Sequence, residues 1–98
     1  MLLFVTKSGC KYCVKMKRNT YADDDVASQI NEAFVPVMID SHVANRVLKN
    51  IKIRAYPTTL LISPEAVLLD KIKGYVSPRK LAQRLSAAQQ KQEDTTRQ

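Results

Sequence analysis

The spacing of apolar and polar positions divides the 98-residue chain into strand-like and helix-like segments. Short apolar runs predict β-strands, and apolar residues three or four apart predict amphipathic helices. Strands are predicted over residues 2–6, 34–40, 58–63 and 67–73. Helices are predicted over residues 10–20, from the acidic run 23–25 onward, over 42–53, and from Ser77-Pro78 onward.

The order of these elements predicts the fold class. Strands joined by helices are expected to be parallel, whereas the last two strands, separated by the turn sequence SPEA, are expected to form an antiparallel hairpin. The prediction is an α/β fold with a mixed four-stranded sheet, two parallel strands plus the hairpin, flanked by helices. One domain is predicted over residues 1–86, and residues 87–98, which are almost devoid of apolar residues, are predicted to form a disordered polar tail.

Composition narrows the class of protein. Apolar residues make up 45% of the chain, enough for one modest core. No apolar run approaches the roughly 20 residues of a membrane-spanning helix, and no signal-peptide pattern follows Met1. The net charge of +7 suits an anionic partner. The basic residues are nevertheless spread along the chain, and the aromatic interleaving typical of nucleic-acid binders is absent, so we do not expect a nucleic-acid partner.

The two cysteines lie three positions apart in the stretch SGCKYC, directly after the first predicted strand. If a helix begins near Cys10, its unpaired backbone N–H groups and its dipole favour a thiolate there, and Lys11 adds a positive charge. Such surroundings can lower a cysteine pKa from about 8.5 to between about 3.5 and 7.5. Cys10 is the predicted nucleophile. Cys13, one turn further into the helix, is the predicted resolving thiol.

Other interpretations of the same residues are weaker. Two nearby cysteines can be small buried hydrophobic residues. A tetrahedral zinc site needs four ligands, and beyond the two sulfurs only His42 is a strong candidate, so no metal is expected. Lys11 either stabilises the Cys10 thiolate, which raises the reduction potential relative to a neutral dipeptide between the cysteines, or simply extends into water.

Over residues 2–85 the chain resembles the thioredoxin superfamily. The stretch SGCKYCVKMK is similar to the active-site stretch of glutaredoxins, usually Cys-Pro-Tyr-Cys, with Lys11 replacing the proline. The stretches TYADDDVASQINEAFVPVMID, YPTTLLISPE and GYVSP instead resemble the thioredoxin-like domains of bacterial thiol:disulfide interchange proteins. We favour the second similarity because the Gly-Gly-acidic pattern of glutathione-binding glutaredoxins is missing after Lys73. The chain departs from ordinary thioredoxins at Phe4, where they carry a buried aspartate, and at Gly9, where they carry a tryptophan, and it lacks their leading strand and helix.

The resemblance implies a function and further site residues. It implies a cis peptide bond between Tyr56 and Pro57 beside the cysteines, with the Tyr56 backbone presented to an extended substrate. Tyr12 is expected at the rim of the site, and Gly74 is expected to contribute to substrate binding. The implied activity is thiol–disulfide exchange with protein disulfides or dithiols. An upstream redox partner is expected, and no cofactor is expected besides the Cys10–Cys13 disulfide.

Two alternatives stay open at this point. One is a redox-inert interaction module with a basic surface near Lys7, Lys15 and Arg18, and the other is a glutathione-dependent reductase. The protein is expected to be a monomer, and an extracytoplasmic location such as the periplasm is favoured over the cytoplasm.

Overall fold

The computed structural model describes residues 1–96, and it describes side chains as far as Glu93. The elements in chain order are β1 (Leu2–Thr6), α1 (Lys11–Met16), a π-helical segment (Lys17–Tyr21), α2 (Asp24–Ala33), β2 (Pro36–Asp40), α3 (Ser41–Val47), β3 (Thr58–Ile62), β4 (Leu68–Lys73) and α4 (Pro78–Thr96). In the described chain no helix is both long enough and apolar enough to span a membrane.

The four strands form one mixed sheet in the order β2-β1-β3-β4. Strands β1 and β2 are parallel, whereas β3 is antiparallel to both β1 and β4. The predicted fold class is therefore confirmed. Because Val5 pairs with Thr58 and Thr58 pairs with Lys73, the end of β1, the start of β3 and the end of β4 meet at one end of the sheet. We call this the site end of the sheet.

Alternating strand residues bury both faces of the sheet. On one face Leu2, Phe4, Leu61 and Ile72 belong to the larger core cluster, which α1, α2 and α4 complete. On the other face Leu3, Val5 and Leu60 pack with Ala44 of α3 and with apolar residues of the loop 48–56. Complete burial of one such side chain stabilises the fold by about 1.5–3 kcal/mol, so the core holds the strand ends of the site in register.

Short polar side chains cap the helices. The carboxylate of Asp23 accepts the Val26 N–H at 3.0 Å at the start of α2, and that of Asp40 accepts the Val43 N–H at 2.9 Å at the start of α3. The second hydrogen bond is the main cause of the lowered pKa of Asp40. The Ser77 hydroxyl accepts the Lys80 N–H at 3.3 Å, with Pro78 at the first position of α4, as the sequence predicts.

Two helix ends differ from the sequence-based prediction. Helix α3 ends at Val47, not near Ile53, because Leu48, Ile51 and Ile53 of the following segment pack against the second core cluster. Helix α4 continues to Thr96 where a disordered tail is predicted from residue 87. Ala88, which is 1% exposed, gives this continuation an apolar contact with the main core. Residues 97–98 of the predicted tail lie outside the described residues.

The edge strand β2 exposes apolar side chains. Val37 is 37% exposed and Met38 is 59% exposed. They line a groove of about 300 Å³ together with Leu2, Phe4 and Ile30.

Candidate active site

Cys10 lies at the junction between β1 and α1. The Cys10 N–H donates to the Lys7 carbonyl at 3.2 Å and closes a turn in which Gly9 has a φ of +77°. Glycine adopts this backbone conformation without the steric strain that a side chain would add. Cys10 is then extended and caps α1, which begins at Lys11. The predicted helix start near Cys10 is therefore confirmed.

The two cysteines form a disulfide, with their Cα atoms 5.3 Å apart. The backbone N–H of Cys13 donates to Sγ of Cys10 at 3.1 Å. Cys13 is only 3% exposed and belongs to the larger core cluster, whereas Cys10 is half-buried. A substrate therefore reaches Cys10 more readily than Cys13.

The surface beside the disulfide is positively charged. A shallow cleft of about 240 Å³ is lined by both cysteines and, among the described residues, its charged lining consists of Lys7, Lys11 and Lys17. Lys11 and Lys17 are exposed to solvent. Positive charge near a sulfur favours its thiolate over its neutral thiol.

A second loop, at Tyr56 and Pro57, lies at the same end of the sheet. Because Val5 pairs with Thr58, the residues after β1 run beside this loop, and the Lys7 ammonium lies 5.5 Å from the centre of the Tyr56 ring. The peptide bond between Tyr56 and Pro57 is cis. Tyr56 packs against both core clusters, and Cys10 packs against the larger one.

Gly74 joins this loop from the end of β4. Its backbone N–H donates to the Pro57 carbonyl at 2.7 Å, and its φ is +77°. The next residue, Tyr75, stacks under the Lys15 ammonium, which is 4.5 Å from the ring centre. The structure thus brings Cys10, Cys13, Pro57 and Gly74 to one end of the sheet, while Tyr12 is 60% exposed on the first turn of α1. The substrate-binding roles of Tyr12, Tyr56, Pro57 and Gly74 stay predictions.

A pair of hydroxyl groups lies in the core that supports the site, and the sequence reasoning missed it. The Tyr21 hydroxyl lies 2.7 Å from Oγ1 of Thr59, and the Tyr21 ring meets that of Phe4 edge to face at 4.7 Å. Burial raises the pKa of Tyr21 well above its ordinary value. The sequence feature that could have indicated this pair is Thr59, a polar residue within the strand sequence TTLLIS.

Among the described residues, no buried ionised side chain replaces the aspartate that ordinary thioredoxins carry at the position of Phe4. The buried polar residues of the described chain are all threonines or serines, namely Thr20, Ser41, Thr58, Thr59 and Ser63. The Thr20 hydroxyl donates to the Val76 carbonyl at 2.6 Å and so ties the π-helical segment to the loop after Gly74. Among the side chains that the structure describes, those of residues 1–93, no group of three or more histidine, cysteine, aspartate or glutamate residues is placed to hold a metal ion.

Comparison with known proteins agrees with this geometry. The family model of the thioredoxin-like domain matches residues 1–89, and the chain belongs to this family. No curated protein sequence matches the chain.

Several solved structures share the fold. A thioredoxin from Thermus thermophilus superposes with a TM-score of 0.82 at 16% identity, over 93% of this chain and 74% of that one. The reduced C-terminal domain of DsbD from Neisseria meningitidis gives 0.71 at 16% identity, over 88% and 77% of the two chains. A structure described as DsbH oxidoreductase gives 0.73 at 17% identity, over 90% and 71%. At such identities the similarity shows the fold alone.

Proposed function

We propose that the protein is a thiol–disulfide oxidoreductase that exchanges disulfides with protein substrates. Cys10 is the nucleophile and Cys13 is the resolving cysteine. The observation that carries the proposal is the asymmetry of the pair. Sγ of Cys10 accepts the Cys13 N–H at 3.1 Å on the accessible side, whereas Cys13 is 3% exposed. A donor directed at the sulfur favours its thiolate and therefore lowers its pKa.

In the reducing direction the reaction has two steps. The Cys10 thiolate attacks one sulfur of the substrate disulfide, that S–S bond breaks, and the first substrate thiolate leaves and takes up a proton from water. Cys13 then loses its proton and attacks Sγ of Cys10, the mixed disulfide breaks, and the second substrate thiolate leaves. The substrate gains two electrons and two protons, and the protein returns to its Cys10–Cys13 disulfide. The reverse sequence oxidises a substrate dithiol.

The surroundings of Cys13 determine how its proton leaves. The side chain at position 4 is that of phenylalanine, and the nearby polar pair, Tyr21 and Thr59, consists of hydroxyl groups. Burial keeps Tyr21 protonated, because it raises the pKa of the phenol. Neither hydroxyl is a base at neutral pH, so the Cys13 proton passes to water or to the departing substrate thiolate.

The second loop supplies a surface for the substrate chain. The hydrogen bond from Gly74 to Pro57 and the one from the Thr58 hydroxyl to the Ala55 carbonyl, at 2.7 and 2.6 Å, hold both ends of this loop. An extended substrate that lies along Tyr56 has its disulfide beside Cys10, with Tyr12 at the rim. This placement uses backbone groups of the substrate, so it suits protein substrates of varied sequence.

Reduction of insulin disulfides, together with capture of the mixed disulfide, tests the proposal. Cys10→Ser is expected to abolish reduction. Cys13→Ser is expected to lose turnover but to accumulate a covalent complex through Cys10, seen as a mass increase that dithiothreitol reverses. Full activity of both variants would contradict the mechanism. Turnover of a small mixed disulfide only with glutathione would favour the glutathione-dependent reductase, and an inactive wild type would favour the redox-inert module.

A further inference from the structure

A basic cleft lies on the face of the sheet opposite α1. Lys52 and Arg54 of the loop before Tyr56 line it from one side, Lys71 and Lys73 of β4 line it from the other, and Ala55 lies between them. The cleft measures about 460 Å³. Within the described chain its lining carries four positive charges and no carboxylate.

The strand register explains why these charges converge. Lys71 pairs with Leu60, and Lys73 pairs with Thr58, so both lysines lie on the sheet face that carries the second core cluster and the loop 48–56. Asp70 lies on the opposite face of β4, where Arg84 holds its carboxylate through two hydrogen bonds of 2.6 Å. The alternation of a β-strand thus separates the acidic residue of β4 from its lysines.

A hydrogen bond closes the floor of the cleft. The Lys71 ammonium donates to the backbone carbonyl of Lys52, which fastens the loop to the edge strand. Lys52, Arg54 and Lys73 are exposed, and they keep their charged groups in water where a ligand can reach them.

The cleft adjoins the site end of the sheet. Ala55, which lines it, immediately precedes Tyr56 and Pro57, and Lys73 immediately precedes Gly74. Neighbouring strands lie about 4.8 Å apart, so the end of β4 is about 10 Å from the end of β1, a span that about three residues of extended peptide cover. A chain bound at Tyr56 with its disulfide at Cys10 reaches the cleft by continuing past Tyr56 around this end of the sheet.

Protection of an edge strand does not explain the whole cluster. Lysines on an edge strand such as β4 prevent unwanted pairing with other strands. That role accounts for Lys71 and Lys73, but not for Lys52 and Arg54, which face them from a separate loop. Four like charges that converge repel one another, and an anion bound among them relieves that repulsion. The planar guanidinium of Arg54 suits a carboxylate in particular, because it offers two parallel donors.

We propose that this basic cleft binds acidic side chains of the protein substrate, so that the enzyme selects disulfides flanked by glutamate or aspartate. The inference rests on the proposed oxidoreductase function and specifies its substrate class. The ligand is a carboxylate-bearing peptide segment, held a few residues from the cysteine that Cys10 attacks.

Single-turnover reduction of two matched peptide disulfides tests the inference. Each peptide carries one cysteine and is used as its disulfide-linked dimer. The residues three and four positions away from the cysteine, on both sides, are glutamate in the acidic peptide and glutamine in the other. Pre-reduced protein supplies the two electrons and becomes oxidised at Cys10 and Cys13, while the peptide is released as two thiols. The second-order rate constant is measured at low salt and again at about 1 M, where the Debye length falls to about 3 Å.

The test uses two triple variants with the same change of charge. The cleft variant Lys52→Gln/Arg54→Gln/Lys73→Gln leaves the hydrogen bond of Lys71 in place. The control variant Lys49→Gln/Arg79→Gln/Lys80→Gln removes three exposed cations that do not line the cleft. Circular dichroism and thermal unfolding show whether each variant is folded, and the single variant Arg54→Gln provides a milder change.

The wild type and the control variant are expected to reduce the acidic peptide about tenfold faster than the glutamine peptide, as several exposed charge pairs acting together allow. The cleft variant is expected to show a ratio within about twofold of one, and high salt is expected to remove the preference from the wild type. Relief of charge repulsion is expected to leave the cleft variant at least as stable to heat as the wild type.

Equal rates for the two peptides with the wild type would overturn the inference while leaving the oxidoreductase intact. So would an equal loss of preference in the control variant. Another outcome is that a single-stranded oligonucleotide binds the wild type more tightly than the acidic peptide does and binds the cleft variant less tightly than the wild type. That result would assign the cleft to nucleic acid instead. If the wild type reduces neither peptide, the oxidoreductase proposal fails, and fluorescence anisotropy of labelled acidic peptide on Cys10→Ser protein still tests the cleft separately.

Discussion

The backbone N–H of Cys13 lies 3.1 Å from Sγ of Cys10 and donates a hydrogen bond to it. This bond joins Cys13, the proposed resolving residue, to Cys10, the proposed nucleophile, so the first turn of α1 stabilises Sγ of Cys10. The Cys13 side chain meanwhile is 3% exposed, which protects it from direct attack by a substrate. The division of roles that we propose for the two cysteines rests on this geometry.

Removing the positive charge at position 11 is expected to make the protein a weaker oxidant. Lys11 lines the cleft beside Cys10, and a cation there stabilises the reduced, thiolate form. Because Lys11 is exposed and screened by solvent, Lys11→Ala is expected to lower the reduction potential by no more than about 20 mV, and Lys11→Glu by more. Equilibration with glutathione buffers measures the potential, with Lys80→Ala as the control. A wild-type potential at or below about −270 mV, the value of thioredoxin, would contradict the expected oxidising character.

Loss of the Tyr21 hydroxyl is expected to change the stability of the protein at alkaline pH. Burial raises the pKa of Tyr21, so above about pH 10 the unfolded state releases a proton that the folded state retains. Wild-type stability should therefore fall as the pH rises above about 10, by up to about 1.4 kcal/mol per pH unit from this group. Tyr21→Phe is expected to lack that component. At neutral pH it should cost about 1–2 kcal/mol, because the Thr59 hydroxyl loses its partner.

Urea unfolding at pH 8 to 11 measures the effect of Tyr21→Phe. Tyr12→Phe is the matched control, since Tyr12 is 60% exposed. An alkaline slope that is the same in Tyr21→Phe and in the wild type would contradict the assignment to the buried phenol.

The far part of α4 is expected to contribute to stability through Ala88. Ala88 is 1% exposed and packs against the main core, whereas its neighbour Ala87 is exposed. Ala88→Asp places a carboxylate in apolar surroundings and is expected to destabilise the fold by about 2 kcal/mol or more, while Ala87→Asp should change stability by less than about 0.5 kcal/mol. Thermal unfolding of the two variants makes the comparison. Equal melting temperatures would instead support a domain that ends near residue 86.

Local patterns were sufficient for much of the fold and for the two cysteines. The strand β1, the glycine turn and the start of α1 are adjacent in sequence, so the position of Cys10 at a helix start follows from residues 2–13 alone. Pro57 required the family resemblance, because its nearness to the cysteines depends on the pairing of β1 with β3.

Features that depend on long-range contacts could not be predicted in this way. Tyr21 and Thr59 are 38 positions apart and meet only in the folded core. The ends of α3 and α4 depend on which apolar residues pack against the core. Ile51, after α3, packs against the second core cluster, and Ala88, in α4, packs in the larger one. The basic cleft depends on the register of β4, which places Lys71 and Lys73 opposite a loop some twenty residues earlier.

The most direct test of the central claim is the pH dependence of Cys10 alkylation in the fully reduced protein. Iodoacetamide labelling followed by mass spectrometry gives the rate at each of the two cysteines. The account predicts that Cys10 reacts with an apparent pKa below about 7.5 and that Cys13 reacts far more slowly. An apparent pKa near the ordinary value of about 8.5 for Cys10, or faster labelling of Cys13, would contradict it.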